Sequence, residues 1–132
     1  MVKTLLVAAS CFLILGCTST YNIKYSVTTT DSSGITVEDI EKINVSLPQE
    51  KSIDPAYEPN ALPNTFYLSR HLDAWEILNV ENDDSNLFFS VTRLTKRLGS
   101  FSDNWKNFFK SKMESIIEKA INKPVDLQEV VD

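Results

Sequence analysis

Cys17 is the residue whose type and position point most directly to chemistry. It ends the segment Ile14-Leu15-Gly16-Cys17, directly after a small residue. A thiolate is the good nucleophile among the small side chains, so a cysteine at this place can form a stable thioether. An ordinary signal-peptide cysteine or a free thiol is the alternative interpretation.

The first twenty residues differ in composition from the rest of the chain. Lys3 is their only charge, and an uncharged, mainly apolar run follows it from Leu5 to Leu15. A positively charged amino-terminal region, an apolar stretch and a small residue before the cleavage site are typical of a secretory signal peptide. As a helix the run spans only about 17 Å, against about 30 Å for a hydrocarbon core, which argues against the alternative of a transmembrane helix. Cys11 lies inside this run as a small hydrophobe and should leave with the signal.

Ile14-Leu15-Gly16-Cys17 resembles the lipobox of bacterial lipoproteins, with an aliphatic residue, a tolerated position, a small residue and the cysteine. The resemblance covers the first twenty residues. It implies that a diacylglyceryl group is attached to Cys17 and that a peptidase cuts between Gly16 and Cys17. Each buried methylene contributes about 0.8 kcal/mol, and two or three acyl chains give durable attachment to a membrane. Thr18 is not the aspartate of an inner-membrane retention signal, which favours the outer membrane.

Cleavage after Gly16 leaves 116 of the 132 residues and removes Lys3, so the net charge changes from -5 to -6. Cys17 is then the only cysteine, which excludes a disulfide, thiol catalysis and a cysteine metal site. Residues 17–20 form the lipid anchor and a short polar tether. The body should therefore lie close to the bilayer surface.

Two further places have residue types that are used in catalysis or metal binding. His71 is the only histidine, and no cysteine lies near it to complete a zinc site. Asp83-Asp84, with Asn82 and Asn86, has oxygen ligands for calcium but lacks the spacing, glycine and closing glutamate of an EF-hand loop. A surface histidine and a solvated hairpin tip are the alternative interpretations, and we favour both. We therefore predict no catalytic residues, no metal and no cofactor.

Lysines and aromatic residues at helical spacing leave two interpretations open. Lys106, Lys110 and Lys112 can either contact anionic headgroups or form an ordinary solvated face, with Lys110 and Glu114 paired at i,i+4. Aromatic residues can either pack in the core or, some of them, line a cavity between sheet and helices for an apolar ligand: Trp75, Phe88, Phe89, Trp105 and Phe109.

Composition limits the size and the partners of the protein. A chain of 132 residues with 42% hydrophobic residues suits one modest domain. Asp and Glu total 18 against 13 Lys and Arg, which argues against nonspecific binding of nucleic acid.

Alternation and helical periodicity predict the elements that would position these residues. Residues 21–28 alternate as a strand, and the sequence around 31–34 predicts a turn. Thr36 is predicted to cap a helix with Asp39 at its third position and with Ile35 and Ile40 as a hydrophobic staple, and Pro48 marks the stop.

The second half of the chain predicts strand pieces followed by a long helix. Residues 66–68 and 75–80 are prone to form strands, and 87–92 completes a hairpin in which Phe88 and Phe89 face opposite sides. A helix capped by Ser100 or Ser102 runs to Pro124. Residues 125–132 form a short edge strand or fray. Residues 48–65, which contain four of the five prolines, are either a connector or a functional loop.

These observations predict an α+β two-layer sandwich with a ferredoxin-like β-α-β-β-α(-β) order, in which two helices cover one face of an antiparallel sheet. The predicted organisation is a signal peptide at 1–16, an anchor and tether at 17–20 and one α+β domain at 21–132. The predicted protein is a non-catalytic outer-membrane lipoprotein that faces the periplasm. It would act as an accessory or scaffold, and strand addition at an exposed sheet edge would bring it into contact with another envelope protein. The alternative is a carrier of a lipid or another apolar ligand.

Overall fold

The computed structural model describes residues 19–50, 54–55, 65–71, 74–83, 86–96 and 100–131. The described strands are β1 (Ser19–Thr29), β2 (Asp54–Pro55), β3 (Thr65–His71), β4 (Ala74–Asp83), β5 (Asn86–Thr95) and β6 (Val125–Glu129). The helices are α1 (Val37–Ser46) and α2 (Asp103–Ile121), and a 3-10 turn at Leu47–Gln49 follows α1. The side chains of Asp54, Pro55, Ser69, Arg70, His71 and Ala74 are outside this description.

The described strands form one antiparallel sheet in the order β2-β3-β4-β5-β1-β6. The predicted α+β class and antiparallel sheet are confirmed, but the ferredoxin-like order is wrong. Strands β2 and β3 are inserted between α1 and β4, so the described part of the chain between α1 and α2 contains four strands where two were predicted. The pairing of β2 with β3 joins Asp54 and Pro55, inside the proline-containing segment, to Tyr67 and Phe66 just after it, and no local pattern in the sequence encodes such a contact.

Strand β1 lies inside the sheet and shows the predicted alternation. Ile23, Tyr25 and Val27 are buried on one face, while Lys24 and Ser26 belong to the other. The strand pairs with β5 and with β6. It begins at Ser19, two residues before the predicted boundary, because residues 19 and 20 continue the ladder opposite Thr95 and Leu94. The part of the predicted tether at 19–20 is therefore strand.

Helix α1 begins as predicted. The Thr36 hydroxyl accepts a hydrogen bond from the Asp39 amide, and the Asp39 carboxylate accepts one from the Thr36 amide, which completes a capping box. Ile35 and Ile40 are both buried beside this start. The α-helix ends at Ser46, and Pro48 lies in the 3-10 turn that follows.

Helix α2 covers the same face of the sheet as α1. Ser102 caps it by accepting a hydrogen bond from the Trp105 amide, and Asn122 ends it in the left-handed conformation. The Phe109 ring packs on Tyr25 of β1 at 5.3 Å between ring centroids. The buried residues of the helix are Phe109, Met113, Ile116, Ile117 and Ile121. No helix in the described part of the chain is long and apolar enough to cross a bilayer.

Strands β4 and β5 form the predicted hairpin and extend beyond the predicted ends. Asp83 pairs with Asn86 at its tip. Phe89 is fully buried, whereas Phe88 lies on the opposite face beneath the Lys24 ammonium. Val125–Glu129 forms the edge strand β6 that the sequence left undecided. Most of the predicted loop at 48–65 lies outside the described residues.

Candidate functional site

Gly16 and Cys17, the predicted cleavage and lipidation residues, lie outside the described residues. Strand β1 begins at Ser19, only two residues after Cys17. A two-residue connection spans at most about 7 Å. Any group attached to the Cys17 sulfur is therefore held close to the end of the sheet where β1 begins.

The predicted single histidine and acidic pair lie at the ends of strands. His71 is the last residue of β3, opposite Ala74, and its side chain is not described. Asp83 is the last residue of β4, while Asp84 lies outside the described residues. Within the described ranges, no three His, Cys, Asp or Glu residues are grouped so that they could hold a metal ion.

The three α2 lysines considered above contact carboxylates and an aromatic ring of this same protein. Lys106 pairs with Glu129 of β6 at 3.1 Å between Nζ and Oε1. Lys110 pairs with Glu114 at 2.6 Å and with Asp126 at 2.5 Å. Lys112 lies 6.0 Å from the centroid of the Phe108 ring. These contacts reduce the positive charge that the helix presents to an outside anion.

The free edge of β6 is occupied by two side chains of α2. The Leu127 amide donates to the Glu114 carboxylate at 2.8 Å, and the Lys110 ammonium donates to the Leu127 carbonyl at 2.8 Å. Lys110 and Glu114 thus take the place of a neighbouring strand at the middle of this edge. The predicted route of strand addition is blocked at this point, since the backbone groups that a partner strand needs are already bonded.

An ion pair lies on the covered face, under the start of α2. Arg93 of β5 donates from Nε and Nη2 to one Glu76 oxygen, at 2.9 and 2.6 Å, and both side chains are more than four-fifths buried. The guanidinium also donates to the Ser100 carbonyl and stacks 4.3 Å from the centroid of the Phe101 ring. The pair joins two strands to the segment that leads into α2. Its geometry indicates a structural role.

The five aromatic residues considered for an apolar cavity do not lie together. Phe89 and Phe109 are buried in the core between sheet and helices, and Trp105 stacks on Phe109 at 5.0 Å. Trp75 and Phe88 alternate with buried neighbours and lie on the opposite face of the sheet. These five residues therefore do not line a common cavity.

The face of the sheet that the helices leave uncovered has a polar region, which we call the polar half. Thr92 donates to Asn22 at 2.8 Å, across the β5 and β1 pair. Lys24 pairs with Glu81 at 3.4 Å and lies over the Phe88 ring at 4.5 Å. A shallow depression crosses this region and is lined by Asn22, Ile23, Lys24, Asn79, Glu81, Ser90, Thr92, Glu129 and Val130.

Four aromatic or aliphatic residues lie at the end of the open face nearest Ser19, with Thr20 beside Leu94. We call these four, Trp75, Tyr67, Ile77 and Leu94, the tryptophan patch. The Trp75 side chain is 41% exposed and meets Tyr67 edge to face, with ring centroids 5.7 Å apart. Leu94 pairs with Trp75 across the β4 and β5 ladder, and Ile77 pairs with Tyr67. The alternation on β4 predicts this side for Trp75, because Leu78 and Val80 are buried on the other.

The Tyr25 hydroxyl of β1 lies in the core and is uncharged near neutral pH. Desolvation of Tyr25, with the nearby Glu129 charge, raises the pKa of its hydroxyl to about 12, although Lys110 acts in the opposite direction. A neutral buried phenol is not a base or a nucleophile near neutral pH. Tyr25 is accordingly a packing residue.

The lowered pKa values of two carboxyl groups predict that the protein loses stability in acid. Burial acts to raise the pKa of Asp39, but hydrogen bonds from Lys123 and from Thr36 outweigh it and leave the pKa below its usual value. The pKa of Asp126 is also lowered, chiefly by its hydrogen bond from Lys110. A lowered folded-state pKa contributes stability above the unfolded value of about 3.9, and that contribution is lost as the pH falls through the folded value.

We therefore expect the free energy of unfolding to fall below about pH 4, and Asp39→Asn to reduce this acid dependence while lowering stability at pH 7. Denaturant unfolding at a series of pH values measures both effects. Glu41→Gln, on the exposed side of the same helix, is the control that should keep the acid dependence of the wild type. An Asp39→Asn profile that runs parallel to the wild type would contradict the assignment.

No protein-family model and no curated protein matches this chain.

Proposed function

We propose that this protein is a bacterial lipoprotein that is anchored through Cys17 in the outer membrane, and that its α+β domain faces the periplasm. The domain acts without catalysis, as an accessory or scaffold for another envelope protein. The observation that carries the proposal is the short sequence distance between the lipobox-like motif and the first strand of the domain. The segment Ile14-Leu15-Gly16-Cys17 ends two residues before β1, so cleavage at Cys17 removes the whole signal and leaves the sheet intact.

The contacts of the described residues support a scaffold over a catalyst. Arg93, Glu76, Lys110 and Glu114 are each paired with other groups of this chain at structural positions. The polar half of the open face lies on the side of the sheet opposite the two described helices and offers side-chain donors and acceptors to a protein partner. Because Lys110 and Glu114 occupy the middle of the β6 edge, we place the partner on the polar half of the open face instead of on that edge.

The anchor is tested by metabolic labelling of cells with a fatty acid. The wild type should incorporate the label, and Cys17→Ala should lose all of it because the thiol is the attachment point. Cys11→Ala is a matched control. Cys11 lies within the predicted signal peptide, so its replacement should leave labelling unchanged. Equal labelling of the wild type and Cys17→Ala would refute the anchor.

The contact with a partner is tested by photo-crosslinking in intact cells. A crosslinking residue at Ser90, in the polar half, should join the protein to a defined envelope protein. The same residue at Val45, which is exposed on α1, is the control and should give no such product. Identical products from the two positions, or none from Ser90, would contradict a partner on this face.

A further inference from the structure

The tryptophan patch lies at the same end of the sheet as the predicted anchor. Ser19 and Ala74 both pair with Thr95, so the start of β1, the start of β4 and the end of β5 meet there. Trp75 follows Ala74, and Leu94 precedes Thr95. Cys17 precedes Ser19 by two residues, so it lies at most about 7 Å from the start of β1, which is beside the patch.

The chemistry of the patch suits the boundary between lipid chains and headgroups. Tryptophan and tyrosine have a large apolar body and one polar group, and they concentrate at membrane interfaces for that reason. Trp75 is exposed next to Tyr67, and the half-buried Ile77 and Leu94 border these two rings. Lys96 is exposed just after β5 and supplies a cation for lipid phosphates.

The opposite end of the sheet carries exposed carboxylates, with Lys123 near them. Asp31 follows the end of β1, and Asp83 lies at the tip of the β4 and β5 hairpin. Glu38 is also exposed at this end, in the first turn of α1, and pairs with Lys42 at 3.8 Å between Oε1 and Nζ. An anionic bilayer attracts Lys96 and repels this acidic end, so charge and apolar contact favour the same orientation.

We propose that the tryptophan patch docks on the bilayer surface that holds the anchor, with Trp75 inserted at the level of the headgroups. The proposal rests on the proposed lipidation of Cys17, and it adds the face and the orientation that the domain presents to the membrane. The acidic end and the start of α1 then point away from the bilayer. The polar half of the open face stays accessible to a protein partner.

The test uses the full lipidated protein in vesicles of phosphatidylethanolamine and phosphatidylglycerol whose chains carry bromine at carbons near the headgroup. The chain has two tryptophans, so Trp105→Phe leaves Trp75 as the only fluorophore. Bromine quenches tryptophan on contact, and we expect brominated vesicles to lower the Trp75 emission by about half. If Trp105→Phe does not fold, the difference between the wild type and Trp75→Phe gives the same signal.

A tryptophan at the opposite end is the matched control. Val37 is 58% exposed at the start of α1, and Val37→Trp in a chain with Trp75→Phe and Trp105→Phe should show no quenching. Equal quenching at both positions would overturn the orientation. Trp75 that is shielded from aqueous acrylamide but not quenched by bromine would also overturn the proposal, because another protein surface would then cover the patch.

Mass measurement of the amino-terminal peptide separates this proposal from the anchor. A lipidated Cys17 together with an unquenched Trp75 overturns docking of the patch and leaves the anchor in place. An unmodified Cys17 together with a quenched Trp75 overturns the anchor and supports the patch as a membrane surface. An unmodified Cys17 with no quenching overturns both.

Discussion

Replacing Glu76 by alanine is expected to lower the free energy of unfolding by about 3 kcal/mol, because it leaves the buried Arg93 guanidinium without its carboxylate. Both side chains are more than four-fifths buried, and two guanidinium donors converge on one carboxylate oxygen. Only the Ser100 carbonyl remains as a described hydrogen-bond acceptor for Arg93. Small domains have total stabilities of about 5 to 15 kcal/mol, so the variant should unfold at a much lower denaturant concentration.

Three further variants separate the cause from a general loss of packing. Glu76→Gln keeps an oxygen acceptor but removes the compensating charge, so it should cost less than Glu76→Ala, about 2 kcal/mol. Replacing Glu76 and Arg93 together by methionine removes both charges and should recover much of the loss, since no unpaired charge stays buried. Glu81→Ala breaks the exposed pair with Lys24 on the other face of the same strand and should cost less than about 0.5 kcal/mol. Equal losses for Glu76→Ala and Glu81→Ala in denaturant unfolding would refute this account.

The local features of the fold could be predicted from the sequence because neighbouring residues determine them. Thr36 and Asp39 are three residues apart, and their reciprocal hydrogen bonds need only the first turn of a helix. Phe88 and Phe89 lie on opposite faces because side chains alternate along any strand. The sequence also contained a signal for the Arg93 pair. Glu76 lies two residues from Leu78, and Arg93 lies two residues from Val91, so both charged residues share the covered face with a buried one. This pattern predicts two inward-facing charges that must form an ion pair.

The features that could not be predicted depend on contacts between distant parts of the chain. The insertion of β2 and β3 depends on pairing across residues 56–64, and no periodicity reports which strands become neighbours. The tryptophan patch is assembled from three strands, so its position at the Ser19 end follows from the register of the sheet. The predicted i,i+4 pair of Lys110 and Glu114 on α2 is confirmed. Its contacts with β6 required the position of a strand that follows the helix.

Replacing Glu114 by alanine is expected to destabilise the domain by about 2 kcal/mol and to open the β6 edge for pairing with other chains. The substitution removes the acceptor of the Leu127 amide and one of the two carboxylates bound by Lys110. Denaturant unfolding measures the first effect, and sedimentation velocity over a range of protein concentrations measures the second. We expect Glu114→Ala to associate more than the wild type at each concentration, because an edge strand with free backbone groups is a template for another strand.

Two controls on the same helix test whether the β6 edge is the cause of these effects. Glu114→Gln retains an oxygen that accepts from the Leu127 amide, so it should keep the edge closed while losing the charge that attracts Lys110. Glu118→Ala, one turn further along α2, changes an exposed residue and should alter neither stability nor association. If Glu114→Ala associates no more than Glu118→Ala and keeps the wild-type stability, the two side chains do not protect the edge. In that case the β6 edge becomes available again as the surface to which a partner adds a strand.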